Sequence, residues 1–405
     1  MSGTFRSLQA FNYRVWAGGA LVSNVGTWMQ RTAQDWIVLT QLSHGGATAV
    51  GIVMGLQFGP QFVLLPFTGW AADRFDRRRL LAITQATQGL LALGLGVLTL
   101  AGVVQLWHVY LFALLLGCTS AFDAPARQTF VTQLVGDAHL SNAIALNSTS
   151  FNAARMIGPA AAGLLIARIG SGWVFVVNAA SFAAVLAALA LLRPHEFHPR
   201  VATGPKRAGL ADGVRHVWAR PDLRAVVLMF FLIGTFGINF PIYISTMSVS
   251  VFHVGAGAFG LLSSAMAVGS VSGALLSARR EQPKLTLLLA AALAFGLTLG
   301  TASLMPSYRW FAFALFFVGL ATQTFTTTAN SAAQLWADPS LRGRVMALVL
   351  AASAGGTPIG APLVGWVADL FGARWSLAAG AASGFVAAIV GLRALARLRR
   401  AQPAA

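Results

Sequence analysis

Two long apolar stretches, Val50 to Trp70 and Leu80 to Val104, flank the densest cluster of charge in the chain, Gly69-Trp70-Ala71-Ala72-Asp73-Arg74-Phe75-Asp76-Arg77-Arg78-Arg79. Each stretch is long enough to cross a bilayer as a helix, which takes about 20 residues. Too little chain separates them for anything but a tight loop. The six charges between Asp73 and Arg79 cannot sit in hydrocarbon, so the loop lies at a membrane surface. Its four arginines mark that surface as cytoplasmic. This hairpin sets the frame into which the rest of the chain has to fit.

A soluble chain of 405 residues would need far more than 10% charged residues to cover its surface. The 42 glycines suit helices that approach closely in lipid. The net charge of +17 raises the possibility of nucleic acid, but the basic residues fall in short loops between apolar segments, so no nucleic-acid partner is expected. The single Cys118 lies in an apolar run, which removes a disulfide framework and a thiolate metal site. The N-terminal segment behind Arg6 and Arg14 is too long for a signal peptide and reads as the first crossing.

Continuous apolar runs, rather than short alternating ones, predict helices and not a β-barrel. The expected fold is an all-α polytopic membrane protein with twelve transmembrane helices. The first six crossings fall at residues 15–38, 48–70, 80–103, 107–131, 143–167 and 172–192, and the second six at 225–248, 256–278, 285–304, 310–333, 344–368 and 375–395. With the N-terminus inside, 23 of the 28 Lys and Arg residues face the cytoplasm and only Arg168, Arg309 and Arg374 face outward, while Arg31 and Arg155 fall within crossings. That partition predicts a multi-pass protein of the inner (cytoplasmic) membrane with both termini cytoplasmic.

The two halves echo one another. Gln133, Leu134, Asp137 and Leu140 reappear as Gln334, Leu335, Asp338 and Leu341, and Gly158, Gly163 and Gly170 reappear as Gly360, Gly365 and Gly372. These matches keep register with the order of crossings. They predict two pseudo-symmetric six-helix bundles, residues 1–192 and 225–405, joined by a cytoplasmic linker at 193–224 with a surface helix near Gly209 to Trp218. Such halves can rock about a site near the midplane.

Charges inside crossings are costly in lipid, so they mark functional positions. Arg31 and Asp35 lie four apart on one face of the first crossing, with Gln30 and Gln34 beside them. Asp35 either couples protons or meets a cationic group with Arg31 as partner, or the pair closes an outer gate or merely anchors the helix near the interface. Asp123 and Arg127, again four apart, flank Pro125 at the inner end of crossing four, where they form an intracellular gate, a second coupling carboxylate or a charged helix end. Arg155 in crossing five is expected to hold an acidic partner or an anionic substrate group, and the neighbouring Gly158-Pro159 with Gly163 to kink that helix and open a smooth surface. In the second half Asn239, Tyr243, Gln323 and Asn330 are candidates to line a path. Crossing ten, rich in Thr, either faces a cavity or turns its hydroxyls back to its own backbone. At the first loop, Gly69, Asp73, Arg74 and Arg77 read as a conformational latch or as a plain basic loop. Ser277 stands where Asp73 does in the weaker second-half counterpart that ends in Arg279-Arg280.

The seven histidines are scattered and no catalytic constellation appears, so no enzyme is expected, and neither a cofactor nor a metal. No G-x-x-x-x-G-K-[S/T] sequence is present, so energy must come from a gradient or a separate subunit. With so few acids, a proton is the more natural coupling ion.

The Gly69–Arg79 stretch resembles the signature of the major facilitator superfamily between helices two and three, with Asp76 where many members have Gly. Ala154 to Gly163, with Gly158-Pro159, resembles that family's helix-five motif in antiporting exporters. The turn Ala113 to Gly117 is apolar where the family carries an arginine, which turns attention to Asp35, Asp123 and Arg155. Phe122 to Gln128 and Leu341 to Val345 resemble the bacterial branch of enterobactin exporters and macrolide-efflux-like proteins. What the resemblance implies is proton-coupled export of a small organic amphiphile, a drug, siderophore or related metabolite. Substrate, protons and the lipid bilayer are then the partners, and the monomer is the working unit. The alternatives are a solute:proton symporter that imports, and a polytopic protein without a transport cycle.

Overall fold

Helix is the only regular structure among the described residues of the protein, a computed structural model that covers residues 3–198, 210–278 and 282–401. In the first half these are α1 (Phe11–Ile37), α2 (Ala47–Val63), α3 (Leu65–Arg74), α4 (Arg77–Leu100), α5 (Leu106–Leu134), α6 (Asp137–Ile169) and α7 (Ser171–Leu191). There follow α8 (Leu210–Ala219), α9 (Pro221–Leu232), α10 (Phe240–Thr246), α11 (Ala256–Ala278), α12 (Leu285–Ser303), α13 (Tyr308–Trp336), α14 (Arg342–Ala354), α15 (Thr357–Phe371) and α16 (Ala373–Ala401). Among the described residues, nine helical stretches are long and apolar enough to cross a membrane, and Ala47–Val63 is a shorter apolar helix. The chain is therefore an all-α, multi-pass membrane protein.

Where the sequence predicts a crossing and the helix is not among the nine, polar residues or a proline explain it. α1 buries Asn12, Ser23, Gln30, Thr32, Gln34 and Asp35, so its polar face is turned into protein rather than lipid. α6 carries Asn147, Asn152 and Arg155 along its length. The segment predicted as 48–70 is interrupted at Leu64, because Pro66 opens α3 and has no N–H to continue the ladder of α2. The surface helix expected near Gly209 is α8. Arg279 and Arg280, like Arg200, Lys206 and Arg207, lie outside the described residues.

The chain forms two compact units. The first comprises the described parts of Met1–Leu42, Gly59–Gly204 and Gly255–Leu261. Within it α1 packs on α6 and α7, and α4 on α5 and α7. Tyr13, Trp16, Leu81, Phe130, Leu134 and Leu189 form an apolar core, with Trp16 edge-on to Phe130 at 5.3 Å. The first loop is tied to this core. Asp76 caps α4 by accepting from the Arg79 N–H at 2.8 Å, Arg78 Nε donates to the Leu189 carbonyl at 2.9 Å, and Arg77 donates to the Thr129 carbonyl at 3.1 Å. Asp76, two residues beyond the end of the preceding helix, is thus a helix start.

The second unit comprises Ser43–Phe58 and the described parts of Pro205–Val254 and Leu262–Ala405. α16 packs on α12, α9 and α15, and α12 on α13. Two crossings predicted as continuous are broken here. The segment 225–248 becomes α9, a π-helical turn Ile233–Gly237 and α10, with Pro241 opening α10. The segment 344–368 breaks at Gly355-Gly356 between α14 and α15. The breaks fit together: a Cβ on Gly234 would lie 2.3 Å from the Ser353 carbonyl oxygen, and one on Gly360 only 1.8 Å from that of Thr235. Only glycine permits that approach.

The repeated glycines keep equivalent roles. Gly170 and Gly372 end α6 and α15 with φ of 85° and 95°. A Cβ on Gly158 would lie 2.5 Å from Trp28 Cβ of α1, and one on Gly163 2.5 Å from the Ala256 carbonyl oxygen; one on Gly365 would lie 2.5 Å from the carbonyl oxygen of Ala47. His44 and His253, both at φ 51°, follow π-helical turns at Val38–Leu42 and Met247–Val251. That second correspondence escapes the sequence, since the matching loops share little beyond the histidine.

Candidate functional site

Asp123, inside the first unit, is held by four side-chain hydrogen bonds. It sits on α5, 6% exposed. Its carboxylate accepts from Thr84 Oγ1 and Gln85 Nε2, both at 2.7 Å, and from Arg127 Nε and a terminal nitrogen at 3.1 and 3.0 Å. The guanidinium also reaches Asn24 Oδ1 at 3.4 Å and lies 5.8 Å from the ring centre of Trp16. One carboxylate therefore ties α4 to α5, while its arginine reaches α1. α5 runs unbroken through Pro125, and Thr129 Oγ1 donates back to the Pro125 carbonyl at 2.9 Å. Thr84 and Gln85 escape the sequence reading. Their signal is a polar pair one turn inside an apolar run.

Asp35 is 8% exposed on α1, and Gln34 is 1% exposed beside it. Arg31 acts on Asp35 through space, and its guanidinium lies 5.1 Å from the ring centre of Trp28. One turn back, Gln30 Oε1 accepts from Asn178 Nδ2 of α7 at 2.5 Å, and Asn178 is joined to Ser181. A buried polar seam thus runs between α1 and α7. Arg155 on α6 is half-buried, and its guanidinium forms no hydrogen bond or ion pair with any described residue. Gly158, Pro159 and Gly163 are buried on the same helix, which stays continuous through Pro159. Gly69 and Asp73 lie on α3, the Asp73 side chain falling outside the described set, and Arg74 is exposed at its end.

In the second unit Asn239 and Tyr243 are buried at the break before α10. Asn239 Nδ2 donates to the Thr235 carbonyl at 2.8 Å, and the Tyr243 hydroxyl donates to the Phe236 carbonyl. Both supply hydrogen bonds to backbone that the helix break releases. Gln323 Nε2 donates to Thr327 Oγ1 at 3.1 Å, and Asn330 is half-buried further along α13. Thr322 bonds back to the Val318 carbonyl, while Thr327, Thr328 and Ser331 line a pocket of about 80 Å³ together with Ser277. Crossing ten therefore follows both of the expectations for its hydroxyls.

Asp369 is a further residue that the sequence reading misses. From α15 it caps α2, accepting from the Ala47 N–H at 2.6 Å, the Thr48 N–H at 2.9 Å and Thr48 Oγ1 at 2.5 Å. A helix that begins after Gly45-Gly46 has no cap of its own, and that lack is the signal. Among the described residues no group of His, Cys, Asp or Glu is placed to hold a metal.

Charges inside the crossings and discontinuous segments around glycine and proline are the features by which a secondary transporter builds its site. Residues 2–404 match the profile of the family described as transmembrane secretion effector, within the major facilitator superfamily. The chain belongs to this family. It is 26% identical to the multidrug efflux pump Tap of Mycolicibacterium fortuitum, over 87% of this chain and 88% of that protein. It is 28% identical to the enterobactin exporter EntS of Escherichia coli, over 90% of this chain and 87% of that one. In fold it is similar to a bacterial homologue of the lysosomal transporter Spinster, with a TM-score of 0.76 at 17% identity over 97% of this chain and 99% of that one. The protein is thus a membrane-embedded, secondary-active transporter that moves a small solute.

Proposed function

We propose that the protein exports a small organic amphiphile (a drug, siderophore or related metabolite) in exchange for protons, by alternating access. In this reading twelve crossings form two six-helix bundles, 1–192 and 225–405, in the cytoplasmic membrane with both termini inside. A single copy suffices. The 23-to-3 partition of basic residues and the recurring glycine contacts support the topology. The names of the efflux pump and the enterobactin exporter support the outward direction.

The observation that carries the proposal is the placement of three kinds of charge inside the first unit. Asp123 is saturated with hydrogen bonds and serves as structure. Asp35, buried on α1 within reach of the Arg31 charge, is the group that exchanges a proton as the cycle turns. Arg155, a guanidinium within a membrane helix with no partner among the described residues, receives an anionic group of the substrate.

Proteoliposomes test this, with cationic dyes, macrolides and catechol siderophores as the panel. Flux driven by a proton gradient is expected in wild type and lost in Asp35→Asn. Arg155→Ala is expected to lose anionic members of the panel while keeping the cationic dyes, and Arg155→Lys to restore part of the loss. Full coupled flux in Asp35→Asn would remove Asp35 from the proton path. Accumulation running with the proton gradient, rather than against it, would replace export by symport.

A further inference from the structure

α8 is amphipathic and ends beside the start of α9, and both lie against the last turns of α16. Together they enclose a groove of about 350 Å³ in the second unit. Its rim carries Arg224 of α9 with Arg393 and Arg397 of α16, and its trough is lined by Leu228, Val390 and the ring of Trp218. Arg393 and Arg397 are one turn apart on the same helix, so their guanidinium groups share a face. None of the three guanidinium groups forms a hydrogen bond or an ion pair with a described residue.

The arginine one turn before shows what the local acid does. Arg220 Nε and a terminal nitrogen bind the two oxygens of Asp222 at 3.2 and 2.5 Å, and its other terminal nitrogen donates to the Trp336 carbonyl at 2.7 Å. Asp222 is therefore already engaged and does not neutralise Arg224. Three guanidinium groups at one groove, with no acid beside them, make a match for an oxyanion from outside the chain. The trough beside them is apolar, and a free anion has no use for it. The helices that bear the arginines are two of those long and apolar enough to cross a membrane, Pro221–Val251 and Ala373–Leu398, and the groove lies at their ends. A half-exposed tryptophan at such a boundary sits at headgroup depth.

We propose that this groove is a binding site for one anionic phospholipid of the adjoining leaflet. Arg224, Arg393 and Arg397 take the phosphodiester oxygens, and an acyl chain lies along Leu228 and Val390 under Trp218. The ligand class follows from the pairing of a concentrated positive rim with an apolar trough at a membrane boundary. The site is separate from Asp35, Asp123 and Arg155, and the proposal does not depend on what the protein transports.

The test uses the full chain in detergent, with native mass spectrometry of the protein mixed with dioleoyl-phosphatidylglycerol or dioleoyl-phosphatidylcholine. Wild type is expected to retain one phosphatidylglycerol and to lose phosphatidylcholine. The variant Arg224→Gln/Arg393→Gln/Arg397→Gln is expected to hold phosphatidylglycerol about tenfold or more weakly, while a charge-matched control, Arg6→Gln/Arg79→Gln/Arg342→Gln, behaves as wild type. Equal retention by the groove variant, or equal retention of the two lipids by wild type, overturns the proposal. Displacement of the lipid by millimolar inorganic phosphate would also overturn it, since the groove would then read a soluble phosphate. Should the triple variant not fold, Leu228→Trp fills the trough with all three arginines in place. Loss of phosphatidylglycerol in that variant supports the site, and unchanged retention sinks it.

Discussion

Arg31–Asp35 and Asp123–Arg127 are built from the same two residue types at the same spacing in the same unit, and each guanidinium lies over a tryptophan of α1. Only the order differs. Helical side chains lean toward the N-terminus of their helix. When the acid comes first, the arginine leans back onto it, and Arg127 grips Asp123 with two nitrogens at 3.0 and 3.1 Å. When the arginine comes first, it leans toward the preceding turn, and the Arg31 guanidinium lies over Trp28, three residues earlier, while its charge still acts on Asp35. The difference separates a carboxylate that ties two helices together from one that accepts no side-chain hydrogen bond from a described residue. Composition and spacing alone do not distinguish them, but residue order does.

The largest effect expected from this contrast is on stability. Asp123→Ala removes the acceptor for Thr84, Gln85 and Arg127 at once and leaves a mostly buried guanidinium without its acid. Breaking a buried pair in this way costs about 3–5 kcal/mol. The purified variant is expected to melt well below wild type or to fail to accumulate, and Asp123→Ala/Arg127→Leu to recover part of the loss. A melting curve for Asp123→Ala that overlays wild type would break the comparison at its stronger end.

Asp35→Asn is expected to act the other way round. It keeps shape and leaves Gln30–Asn178 intact, so the melting temperature should stay within about 2 °C of wild type. Proton-coupled flux should nevertheless fall to the level of protein-free vesicles. A large loss of stability in Asp35→Asn would place this pair in the same structural class as Asp123–Arg127.

Much of the fold is legible because lipid leaves few choices. Apolar runs must be helices, and the ends of ten of the twelve predicted crossings fall within a few residues of helix ends. What the sequence does not disclose is where a helix breaks inside a run. Pro66, Pro241 and Gly355-Gly356 interrupt helices, whereas Pro125 and Pro159 do not. The outcome depends on whether neighbours can take up the released backbone groups, as Asn239 and Tyr243 do beside Pro241. At the site, the buried charges are legible as charges, since each is conspicuous in a chain only 10% charged. Their partners are not. Asp369 reaches Ala47 across 322 residues, and Thr84 reaches Asp123 across 39, through contacts that no local pattern encodes. Asp76 is the converse case. It departs from the glycine that the superfamily signature carries at that position, and a local rule, the need of α4 for a cap, accounts for it.

The sharpest comparison uses the smallest change in energy. Arg31→Asp/Asp35→Arg keeps the charge, the composition and the spacing of the pair and reverses only its order. An acid-first pair on a helix is favoured by about 0.2–0.5 kcal/mol. Giving up the stack of Arg31 on Trp28 returns a contribution of similar size, about 0.5–1 kcal/mol at most for a partly exposed site. Thermal stability is therefore expected to move little in either direction. Transport is expected to respond fully, because the acid at position 31 would be gripped by the base at position 35, as Asp123 is gripped by Arg127, and a gripped carboxylate is a poor proton carrier. Coupled flux should vanish in the double variant while the protein melts as wild type. If the double variant transports normally, order is irrelevant and the face needs only one acid and one base. Melting and flux falling together would instead mean that Arg31 over Trp28 is itself a structural contact, and the division between a structural pair and a working pair would no longer stand.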